Sequence, residues 1–114
     1  MFETWALSEL VKQRFNAGQG AELFFWRDNV GHEVDVVFET PQGLRAIEIK
    51  SGSTFASDWP QAVSKWAGLA DTPTLPPQII YGGTGHYARQ GCEVLGWREF
   101  ALGHSTGMNP PVLG

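Results

Sequence analysis

The sequence predicts an α/β domain, more strictly α+β, in which a mixed central sheet begins as a three-strand antiparallel meander and is flanked by helices. Three observations predict it. An amphipathic helical pattern opens the chain. Two turn signals, Asp28-Asn29-Val30-Gly31 and Pro41-Gln42-Gly43, then divide a region of alternating apolar and polar residues. Finally, a second helical pattern separates that region from a short apolar run, QIIY.

Each element has a local reason. FETWALSELVKQRF carries apolar residues at 2, 5, 6, 7, 10, 11 and 15, close to the spacing of one helix face, which predicts a helix over 2–16 ended by the glycines of AGQG at 17–20. The helix starts without any lead-in, which suggests a piece cut from a longer protein. Strands are predicted at 22–27, 32–39 and 44–50, joined by the two turns, whose Asp, Asn, Pro and Gly residues suit tight reversals. After SGS comes a helix over about 58–70, with Asp58 as N-cap and Pro60 in the first turn. QIIY, stopped by glycines, predicts a buried strand at 78–81. A short strand at 92–96 and WREF at 97–100 close the domain, which is expected to span 1–102, with a Gly- and Pro-rich flexible tail at 103–114.

Composition limits the function. The 114 residues suit one domain, and the 42% hydrophobic share, with five Trp and seven Phe, suits a packed core. No apolar run approaches the roughly 18 to 20 residues of a spanning helix, and no secretory leader pattern opens the chain, so a soluble, cytoplasmic protein with no membrane partner is expected. Cys92 is the sole cysteine, which excludes an internal disulfide and a zinc knuckle. A net charge of −4 argues mildly against unaided tight binding of nucleic acid, which draws its affinity mostly from phosphate neutralisation, and leaves room for a local basic rim. A phosphate-loop motif is absent, so no ATP site is expected in this chain.

The charges within the meander are the notable feature. Strict alternation puts Glu33, Asp35 and Val37 on one face of the second strand and Val34, Val36 and Phe38 on the other; in the third, Glu48 and Lys50 oppose Ile47 and Ile49. Counted back from the turn, Asp35 and Glu48 fall side by side. Two adjacent carboxylates repel, and a divalent ion relieves that repulsion. Mg²⁺ or Mn²⁺ suits two carboxylates, a backbone carbonyl such as that of Ile49, and waters. Lys50, on the same face as Glu48, is placed to orient an attacking water or balance a phosphate's charge, as metal-assisted phosphodiester hydrolysis requires. The same residues also fit a solvated strand face or an Asp35–Lys50 ion pair.

Asp35 with Glu48-Ile49-Lys50, preceded by a helix bearing Glu3 and Glu9 and followed by another helix, resembles the PD-(D/E)XK nuclease superfamily, the fold of restriction endonucleases and archaeal Holliday-junction resolvases. More closely, FETWALSELVKQRF, FFWRDNVGHEVDVVFE and IEIKSGST are similar to a C-terminal domain of unknown function found on bacterial and archaeal AAA-type ATPases, over about residues 1–100. The resemblance implies a restriction-endonuclease-like fold. It also implies Asp35 and Glu48 as metal carboxylates, Lys50 as the catalytic lysine, and Glu3 as the helix-borne acid, with Glu9 as the alternative. Those two helix positions differ by roughly 240° and cannot both face one site. DNA and the ATPase region, or another protein, become the expected partners. In one branch of these nucleases a Gln-xxx-Tyr helix follows; here Gln61 is present but Lys65 stands in the Tyr position. Gln61, Lys65 and Arg27 are the expected nucleic-acid contacts. A phosphate-facing rim of Lys12, Arg14, Arg27 and Lys65 would favour an enzyme, and scattered basic residues a nuclease-fold domain used for interaction or regulation.

Plainer roles are expected elsewhere. His32 reads as a surface residue, and Trp26, Arg27 and Asp28 as a lock on the meander. Trp5, Trp59 and Trp66 read as helix-on-sheet core, Gly82, Gly83 and Gly85 with His86 as a flexible turn, and Cys92 as a small core residue.

Overall fold

The computed structural model describes residues 2–18 and 22–102. Helix α1 (Phe2–Asn16) leads into the meander β1 (Phe24–Arg27), β2 (Glu33–Thr40) and β3 (Gly43–Lys50). Helix α2 (Pro60–Leu69), β4 (Gln78–Tyr81), β5 (His86–Arg89), β6 (Cys92–Gly96) and the short α3 (Trp97–Ala101) follow. The strands form one mixed six-stranded sheet, ordered β1-β2-β3-β4-β6-β5. Antiparallel pairing joins β1 to β2, β2 to β3 and β5 to β6, while β3–β4 and β4–β6 are parallel. This is the expected mixed α+β architecture. The tail expected at 103–114 lies outside the described residues.

Two apolar layers sandwich the sheet. Under α2, Val63 and Trp66 pack on Val34, Ala46, Ile79 and Val94. Beneath α1 and α3, Ala6, Leu10 and Phe100 pack on Val36, Phe38, Ile47 and Ile80. QIIY is buried along its whole length because both layers cover it. No described helix is long and apolar enough to cross a membrane.

Several expectations need correction. Strict alternation fails in β2: Phe24 pairs with Val37 but Trp26 with Val34, so β1 advances two residues while β2 advances three. The extra residue is a β-bulge around Asp35 and Val36. It sends Val34 and Val37 to the α2 layer and Val36 and Phe38 to the α1 layer, instead of keeping Val34, Val36 and Phe38 together. In α1, Phe15 belongs to the apolar pattern yet is 74% exposed, and the buried stripe continues instead as Ala6, Leu10 and Arg14. The Arg14 guanidinium lies 4.2 Å over the Phe38 ring, so a flat cation closes the core where an apolar residue was expected. Asp58 is not the N-cap of α2; Trp59 occupies that position and makes no side-chain cap bond.

The glycine-rich segment after β4 is not merely a turn. It ends in β5, which folds back on β6 around Gln90 and Gly91, both at positive φ. Gly43 begins β3 at φ +141, and a Cβ there would sit 2.6 Å from the Pro73 carbonyl oxygen. The β2–β3 turn therefore needs glycine twice over, for its φ and for the close pass of the α2–β4 segment.

Candidate functional site: a carboxylate and lysine cleft

The site forms where the β2–β3 ladder opens. Regular pairing begins at Val36 and Ile47, and the next pair in that register is Asp35 and Glu48. At the bulge, side chains bond across in place of backbone. The Ile49 N–H donates to Asp35 Oδ2 at 2.8 Å, and the Asp35 N–H donates to Glu48 Oε1 at 3.3 Å. Lys50 Nζ stands 3.7 Å from Glu48 Oε2. Asp35, Glu48, Ile49 and Lys50 thus converge on one cleft of about 350 Å³. Glu48 is 5% exposed, which rules out a purely solvated strand face for it.

Electrostatics mark this cluster. Burial, reinforced by the hydrogen bond and charge of Asp35, pushes the Glu48 carboxyl up to about 8 against the opposing pull of Lys50 and the Asp35 amide. Glu3, on the first turn of α1, is also raised, first by the charge of Asp35, then by a shared hydrogen bond with it and by burial. Of the two helix acids, Glu3 is therefore the one beside Asp35. Glu9 instead pairs with Lys12 at 2.8 Å.

The remaining cleft wall comes from the β1–β2 turn and the start of α2: Gly31, His32 and Glu33 on one side, Asp58, Trp59 and Gln61 on the other. Asp28 ties these walls together. Its Oδ1 accepts the Val30 and His32 amides at 3.0 and 2.8 Å; its Oδ2 lies 2.9 Å from His32 Nδ1 and 2.7 Å from Lys65 Nζ. Although burial pushes the Asp28 carboxyl up, the bonds from Lys65, His32 and Val30 outweigh it and hold the group well below the usual range. His32 is thus a half-buried member of a turn clamp and not a plain surface residue.

Of the expected nucleic-acid contacts, Gln61 lines the cleft and Lys65 is held by Asp28. Arg27 lies 3.4 Å from Glu33 with both side chains more than half exposed. The basic rim that would favour an enzyme does not form, since Lys12 is on Glu9 and Arg14 is buried. Trp66 and Cys92 are buried as expected, and Trp5 packs on the α1 layer. Trp59, assigned to the core from sequence, also forms part of the cleft wall; only its position directly before Pro60 hinted at that.

Two carboxylates from adjacent strands and open solvent make a hard oxygen donor set, and Lys50 at 3.7 Å offsets the burial of Glu48 only in part, leaving its carboxyl pushed up to about 8. These residues fit a divalent ion. Among the described residues, no group of three or more His, Cys, Asp or Glu side chains is arranged to hold a metal, so such an ion would rely on waters to complete its shell.

Fold and cleft define an α+β domain with an acid- and lysine-lined site at a sheet bulge. The profile of a domain of unknown function, DUF4143, matches residues 1–100, and the chain belongs to that family. Searches of curated proteins and of solved structures found no significant match.

Proposed function

We propose that this chain is a PD-(D/E)XK-like domain with a divalent-metal site for phosphodiester hydrolysis on DNA, and that it forms the C-terminal part of an AAA-type ATPase. The observation that carries the reading is the meeting of Asp35, nearly buried Glu48 and Lys50 in one cleft. Asp35, Glu48 and the Ile49 carbonyl would hold Mg²⁺ or Mn²⁺, with Glu3 as the next nearest acid. Such an ion, when bound, supplies charge neutralisation at a phosphate and a more acidic water. The Ile49 amide fixes the Asp35 carboxylate, and the Asp35 amide fixes that of Glu48. Lys50, 35% exposed, reaches toward solvent, where it orients the attacking water or balances the phosphate.

The test is cleavage of supercoiled plasmid and single-stranded circles in Mn²⁺. Wild type should nick at least one, and Lys50→Met should not. Equal cleavage by both would remove Lys50 from its role.

The basic residues favour a second reading. Lys12, Arg27 and Lys65 each face a carboxylate, and Arg14 and Arg45 are buried. A cleft without a basic rim suits a catalytically silent nuclease-fold domain that binds or regulates its ATPase half or another protein. Metal binding without cleavage of any DNA or RNA form would select this reading.

A further inference from the structure

The same shortage of cations narrows the substrate. Duplex binding takes its affinity from many phosphate contacts, whereas single strands are also held by stacking their bases on aromatic rings. Of the eight Lys and Arg, three face carboxylates on the surface, two are buried, and Lys50 belongs to the cleft. The remaining two, Arg89 and Arg98, lie over aromatic rings. Arg89 is the one linked to the cleft wall, through Phe55 and Trp59. Trp59, half-buried in the cleft wall, stands 5.9 Å from the Tyr81 ring and 5.5 Å from the Phe55 ring, and the Arg89 guanidinium lies 4.9 Å over Phe55. With Tyr81 buried beneath, Trp59 and Phe55 thus join the cleft wall to an exposed arginine at the sheet edge.

We infer that the cleft takes a single-stranded nucleic acid, with a base against Trp59 and a neighbouring phosphate on Arg89; this rests on the phosphodiester reading above. Duplex is disfavoured because Lys50 and Arg89 are too few to hold its two backbones. With two phosphate contacts, log affinity should fall with log salt at a slope of only about −1.4.

The experiment is fluorescence anisotropy with labelled oligo-dT, oligo-U and a duplex of equal length, in Ca²⁺, on wild type, Trp59→Ala and Arg89→Ala. The expected result is at least tenfold tighter binding of one or both single strands than of duplex. Trp59→Ala should lose fivefold or more, and Arg89→Ala severalfold with a shallower salt slope. Arg89 is exposed, so its variant remains informative if Trp59→Ala fails to fold. Duplex binding equal to or tighter than both single strands, no binding of either single strand, or single-strand affinity unchanged in the folded variants would overturn the inference. A Mn²⁺ titration of the same wild-type sample separates the two failures: heat of binding without single-strand affinity sinks the inference alone, and no heat sinks the metal site beneath it.

Discussion

The Asp35 N–H donates to Glu48 Oε1 at 3.3 Å, at the point where regular backbone pairing between β2 and β3 stops. The bulge therefore brings two acids together where the Asp35 and Ile49 amides take side-chain acceptors in place of backbone ones. Two acids held this close, one of them buried, cost stability when both are charged.

Glu48 should make the metal-free protein less stable as pH rises. Its folded carboxyl keeps a proton up to about pH 8, while the unfolded one releases it near 4.5. Its contribution is therefore full below pH 4.5 and is lost as pH climbs to 8. The loss should be roughly 2 to 4 kcal/mol. Chemical denaturation at pH 5 and pH 8.5 measures it, and Glu48→Gln should remove most of that difference.

Asp28 should matter more than its ion pair with Lys65. Lys65→Met removes a partly exposed pair, for which about 0 to 1 kcal/mol is expected. Asp28→Ala also strips the acceptor from the Val30 and His32 amides. Hydrogen exchange at those two amides should accelerate strongly in Asp28→Ala and little in Lys65→Met. Equal effects would mean that the turn does not depend on its aspartate.

Two glycines should respond in opposite directions. Gly43→Ala places a methyl 2.6 Å from a carbonyl oxygen at φ +141 and should cost about 2 kcal/mol or more. Gly68→Ala, in α2 with nothing within 4 Å of the new methyl, should stabilise by about 0.5 to 1 kcal/mol. Thermal melts of both variants check the pair.

The meander, both main helices and QIIY were legible because turn residues and periodicity agreed at each of them. The meeting of Asp35 with Glu48 was legible by counting back from the Gly43 turn. The bulge was not: β2 reads as unbroken alternation, and only its uneven register with β1 sends Val34 and Val36 to opposite layers. Strand β5 escaped because HYAR has little apolar character and owes its place to pairing with β6. Trp59 escaped for a different reason: a Trp ring can serve the core and a cleft wall together.

Titration calorimetry with Mn²⁺ on wild type and Asp35→Ala, at matched pH and with folding checked by circular dichroism, is the most direct test of a metal site at the bulge. Wild type should show saturable heat that Asp35→Ala lacks. The same heat from both proteins, or none from wild type, would contradict it.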